Sequence, residues 1–157
     1  MKDLNIFKQR YVYRNPLRNI KDFLRRFKYA YQRITKGYCD TDLWNLDYYL
    51  ICLLSEALKE LSETTYSYPM NLTEEEWRQK LLEMSNHFSN ISEYTDNDIN
   101  NRAEKSFDAY WDSRGTDKED KLYNNWIEIS KDAFKFREEE KNKALDMIKE
   151  WFFDLWD

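Results

Sequence analysis

Glycine and proline are scarce in this chain, two of each in 157 residues, and there is a single valine, Val12. Sheet proteins need turn residues and β-branched strands, so this scarcity argues against a β fold and for an all-α one. No apolar run approaches the roughly 18 to 20 residues that cross a bilayer, so no membrane partner is expected. The opening "MKDLNIFKQRYVYRN" lacks an apolar block followed by a small-residue cleavage site, and it does not read as a secretory signal. Two cysteines, Cys39 and Cys52, form no CxxC, and a reduced cytoplasmic protein is the plain expectation. The single histidine, His87, excludes a multi-histidine metal site and a second imidazole relay. Two glycines cannot supply a phosphate-cradling loop or a dinucleotide fingerprint. No enzyme is expected, and no cofactor.

Aromatic residues and charge are plentiful, at 17% and 35% of the chain. The charge is unevenly spread. Residues 1–37 hold 11 Lys/Arg against 2 Asp/Glu, a net +9, while residues 38–157 hold 14 against 28, a net −14. The length predicts one domain, 1–157, with residues 1–14 as a basic arm.

Hydrophobic spacing predicts a compact bundle of about five helices with a long one at the C-terminus. Asn15 and Pro16 open the first as cap and first helical residue, and Gly37 stops it. Leu17, Ile20, Leu24, Phe27, Tyr31 and Ile34 form its apolar face, which should turn inward with Arg18, Lys21, Arg25 and Lys28 outward. A second helix from Asp40 or Thr41 is apolar over so wide an arc that it should lie at the bundle's centre. Thr73 and Glu76 form a capping box before a third helix with the seam Trp77, Leu81, Met84, Phe88 and Ile91. A shorter fourth runs from Ile99 to Tyr110. After Gly115, Thr116 and Glu119 form a second box, and helix continues to the end, with "REEEKNK" as a solvated stretch supported by Glu139–Lys143.

Candidate metal sites are weak. In "DNDINNRAEKSF", Asp96, Asp98 and Asn100 match the first ligand positions of a calcium loop, but Asn101 replaces the glycine and Phe107 the bidentate Glu. The reading preferred there is a loop whose Asp caps the next helix. Asp40 and Asp42 fit a cap and a helix dipole better than a metal. No metal is assigned. His87, beside Met84 and Ile91, reads as a boundary or core histidine.

Three features invite a partner. Asp47 falls in the middle of the apolar second helix, so unless it is simply exposed it should be paired, accepting from Arg26 or Arg33 of the first helix or from a nearby Tyr or Trp. Alternatively Trp44, Asp47 and Tyr48 line a ligand pocket between the two helices. The N-terminal segment interleaves Arg18, Lys21, Arg25 and Lys28 with rings such as Tyr29, as a phosphate-binding surface would, or it docks on the acidic remainder of the chain. In the ending "KEWFFDLWD", Trp151, Phe152 and Leu155 fit one buried face, while Phe153 and Trp156 point elsewhere, toward burial, a partner or a second copy of the chain.

The strings "RITKGYCDTDLWNLDYYLICLLSEALKEL" and "YPMNLTEEEWRQKLLEM", roughly Arg33 to Met84, resemble a family of small uncharacterised all-helical proteins of tailed phages and prophages of gut bacteria. The resemblance implies a viral accessory gene acting in the host bacterial cytoplasm, and it transfers no catalytic residue. The function expected is a binding protein that inhibits a host target, such as a defence component, by stoichiometric contact. The alternative is a nucleotide or nucleic-acid binder using the basic, Tyr-rich N-terminal segment.

Overall fold

A computed structural model gives the fold and describes residues 16–156. Every regular element among them is helical, so the all-α class holds. The helices are α1 (Pro16–Lys36), α2 (Asp40–Trp44), α3 (Leu46–Thr64), α4 (Glu74–Ile91), α5 (Asp98–Asp112) and α6 (Glu119–Trp151), followed by a 3-10 turn at Phe152–Asp154. The long C-terminal helix is α6, with 33 residues. No helix of the described residues is long and apolar enough to cross a membrane. The expected arm 1–14 and the Asn15 cap lie outside the described residues.

Contacts divide the chain into two compact units, Met1–Leu53 and Leu54–Asp157, so the boundary falls inside α3. In the first unit, Gly37 takes φ 82°, the left-handed conformation that ends α1, and its N–H donates to the Arg33 carbonyl at 3.0 Å. The expected second helix is two helices. Asn45 ends α2 at φ −127°, ψ 62°, and its carbonyl accepts the first bond of α3, from the Tyr49 N–H at 3.0 Å. That break is why six helices stand among the described residues where about five were expected.

The core belongs to the second unit. Trp77, Leu81, Met84 and Phe88 of α4 are buried with Ala144 and Trp151 of α6 and Leu58 of α3. Each such large side chain contributes on the order of 1.5–3 kcal/mol by leaving water. The rings of Trp77 and Trp151 lie 5.6 Å apart. The capping box that starts α4 forms as expected: Thr73 Oγ1 accepts from the Glu76 N–H, and the Glu76 carboxylate accepts from the Thr73 N–H at 2.8 Å. Arg78 then closes the end of α3, its guanidinium donating to the carbonyls of Glu63 at 3.3 Å and Thr65 at 2.8 Å. α5 and α6 meet through a cluster of rings in which Tyr110 stacks on Trp126, 3° from parallel at 5.4 Å.

Several expectations need correction. The second helix is not central: of α3 only Leu58 and Ser62 are buried, and Leu43, Leu46, Leu50 and Leu53 are exposed. The box expected from Thr116 and Glu119 does not form. α6 starts only at Glu119, whose carboxylate accepts from the Gly115 N–H at 2.7 Å and so caps the turn instead. Ahead of α5 the cap is Asn97, which accepts from the Asn100 N–H at 2.9 Å, rather than an Asp; Asp96 accepts from the Asn101 side chain at 2.8 Å. Among the described residues no group of three or more His, Cys, Asp or Glu is placed to hold a metal ion.

Candidate partner-binding face on the first helix

The first helix packs opposite to expectation. Its apolar row, Leu17, Ile20, Leu24, Phe27, Tyr31 and Ile34, is 52–84% exposed. The side that meets α2 is polar, because two aspartates just past Gly37 face arginine, lysine and glutamine that stand 8 to 12 residues earlier in the chain. Arg33 makes a two-pronged contact with Asp42, Nε donating to Oδ2 at 2.8 Å and the second amino group to Oδ1. Lys28 Nζ donates to Asp40 Oδ2 at 2.7 Å, and Gln32 Nε2 to Asp40 Oδ1 at 2.8 Å. These bonds choose which side of α1 faces α2, and the apolar row lies on an exposed side.

Asp42 is the interior carboxylate of this unit, 6% exposed. Burial pushes its carboxyl up, but the Arg33 guanidinium and the Cys39 N–H, which donates to Oδ2 at 2.8 Å, outweigh burial and hold it below its usual range. Arg33 is raised in return, chiefly by its bond to Asp42. Asp22 is lowered by Arg26 and then Arg25; the Arg26 amino group donates to its Oδ2 at 2.9 Å. Asp40 is lowered by Lys28 and Gln32.

Asp47 does not hold the buried position expected of it. It is exposed in the first turn of α3, and the two arginines expected to reach it are engaged on other carboxylates, Arg26 on Asp22 and Arg33 on Asp42. The break at Asn45 is the cause, since it turns a mid-helix position into a helix start where the dipole favours an acid. Trp44, at the end of α2, is 87% exposed, and Tyr48 is half-buried. Tyr49, the neighbour, is the ring that closes this turn, its hydroxyl donating to the Gly37 carbonyl at 2.6 Å. On α1, Arg18, Lys21 and Arg25 border a depression of about 280 Å³ together with Asp22. The Arg25 guanidinium lies 6.0 Å from the centre of the Tyr29 ring.

In the second unit the C-terminal rings divide. Trp151 is buried and Leu155 half-buried, whereas Phe152, expected beside them, is exposed with Phe153 and Trp156. The helix ends at Trp151, and the 3-10 turn after it rotates Phe152 off the inner face.

One cluster escaped the sequence reading. Glu140, inside the "REEEKNK" run expected to be solvated, is 4% exposed. Its Oε2 faces His87 Nδ1 at 2.8 Å and Asn90 Nδ2 at 2.9 Å, and its Oε1 accepts from Lys143 at 2.8 Å. Burial opposes ionisation, but Lys143, His87 and Asn90 together lower the carboxyl from its ordinary 4.5 to about 2. An ionised carboxylate only accepts, so His87 Nδ1 carries the proton of that bond. His87 sits at the boundary, as expected, and Lys143 pairs with Glu140 rather than Glu139.

Comparison of the chain with protein-family models, with curated proteins and with solved structures gives no match.

Proposed function

We propose that this chain is an accessory binding protein, of the kind tailed phages and prophages carry, which occupies a bacterial host target one-to-one. A component of host defence is the target that an inhibitor of this type would serve to block. The observation that carries the reading is the exposed apolar row of α1 with cations beside it. Apolar surface gathered on one helix face, rather than scattered singly, marks a contact surface. The exposed Phe153 and Trp156 offer a second set of aromatic anchors in the other unit. The reading assigns no reaction and no cofactor.

The depression bordered by Arg18, Lys21 and Arg25 favours a second reading, a nucleotide or nucleic-acid binder. It ranks lower because Asp22 takes Arg25 and Arg26, and Asp42 takes Arg33. Cations already facing carboxylates offer less to a phosphate.

Capture from host lysate, mass spectrometry, and light scattering of the reconstituted pair together test the order. One host protein held at a one-to-one ratio is the expected result. Binding to RNA or single-stranded DNA that falls steeply with salt, and vanishes in Arg18→Glu/Arg25→Glu, would put the second reading first.

A further inference from the structure

The apolar row of α1 steps by three and four residues without a fault from Leu17 to Ile34. That alternation holds a 3.5-residue period over about two and a half heptads, and Phe23 and Ala30 widen the apolar face beyond a strict two-position seam, to the breadth of a helix that lies in a partner's groove. The residues bordering the seam differ on its two sides. Lys21 and Lys28 follow Ile20 and Phe27 along one edge, whereas Phe23 and Ala30 precede Leu24 and Tyr31 along the other. Over its length α1 carries seven cations and one anion, Asp22, a net +6.

We propose that α1 is a recognition helix whose partner is a protein offering an acidic helical groove, apolar along its floor and with carboxylates along the edge that meets Lys21 and Lys28. This rests on the stoichiometric-binding reading and adds to it the chemistry of the target. A helix laid in such a groove buries the seam as knobs between the partner's side chains, and the lysines set its orientation. Lys28 is available for exchange: its pair with Asp40 is exposed on both sides, and exposed pairs hold little energy.

A second copy of the chain is the poorer occupant. Antiparallel pairing sets Lys21 of one copy against Lys28 of the other, and parallel pairing lays two helices of net +6 side by side at roughly 8–10 Å. A membrane surface is also poorer. Three of the arginines that would meet lipid phosphates, Arg25, Arg26 and Arg33, hold carboxylates of their own unit.

The full-length protein is tested against two synthetic amphipathic helices with leucine along the seam, one with glutamate and one with lysine at the flanking positions. Fluorescence anisotropy reads affinity, and circular dichroism confirms that each variant keeps its helicity. Two lysine–carboxylate pairs shift affinity by about tenfold, so the glutamate helix should bind at least that much tighter than the lysine helix. Lys21→Glu/Lys28→Glu should reverse the preference, and Leu24→Ser should weaken both. Equal affinity for the two helices, binding to neither, uptake on phosphatidylglycerol vesicles in preference to the peptide, or self-association abolished by Leu24→Ser would each overturn the proposal. A lysate target still captured one-to-one by Lys21→Glu/Leu24→Ser/Lys28→Glu would sink the assignment to α1 while leaving the stoichiometric reading intact. Glutamate-helix binding without any one-to-one host target would do the reverse.

Discussion

Asp42 does two jobs with one carboxylate. It accepts the Cys39 N–H that starts α2 and receives the Arg33 guanidinium that fixes α1 against it. A five-residue helix has no stability of its own, so these contacts hold it in place. Asp42→Asn keeps the shape and removes the charge, leaving a half-buried guanidinium without its counter-ion. A cost of about 1–3 kcal/mol is expected, read as faster amide hydrogen exchange from Asp42 to Trp44. Asp47→Asn, five residues on, should stay within about 0.5 kcal/mol, because Asp47 faces water. If the two substitutions cost the same, the interior carboxylate has been misplaced.

Between elements, Glu140 is the polar tie that α6 makes to α4, through His87 and Asn90. Its folded pKa of about 2 lies below the ordinary 4.5, so its stabilisation is fully present above pH 4.5 and is lost as pH falls toward 2. Glu140→Gln should therefore cost on the order of 3 kcal/mol in urea unfolding at pH 7, and that gap should close as the pH approaches 2. This tie was legible in principle. Continuing the face of Ala133 by helical steps leads to Glu140, Ala144 and Trp151, all buried. The density of charge in "REEEKNK" hid a buried member among solvated ones. Elsewhere local rules sufficed: Gly37 and the Thr73–Glu76 box act as read, and the seam from Trp77 to Phe88 is buried as read. What spacing could not supply was direction. The period of α1 identifies an apolar face without saying whether anything covers it, and here polar bonds to α2 decided the matter. The Asn45 break was similarly quiet, since Trp44 and Leu46 on either side continue the apolar pattern across it.

At the scale of the molecule, burial and charge are partitioned together. The unit Met1–Leu53 holds 11 Lys/Arg against 5 Asp/Glu, a net +6, and Leu54–Asp157 holds 14 against 25, a net −11. The buried apolar cluster lies wholly in the acidic unit. Stability should follow that division. Trp77→Ala opens a void beside Trp151 and should cost about 3–5 kcal/mol in denaturant unfolding, whereas Trp44→Ala, with its ring in water, should cost less than about 0.5 kcal/mol. His87 is the sole histidine in the sequence, and it sits on the Glu140 tie. A proton NMR spectrum of the unlabelled protein therefore contains one imidazole Cε1–H resonance. That line is an internal gauge of whether α4 and α6 are joined, readable through any titration, partner addition or mutation without assigning another signal.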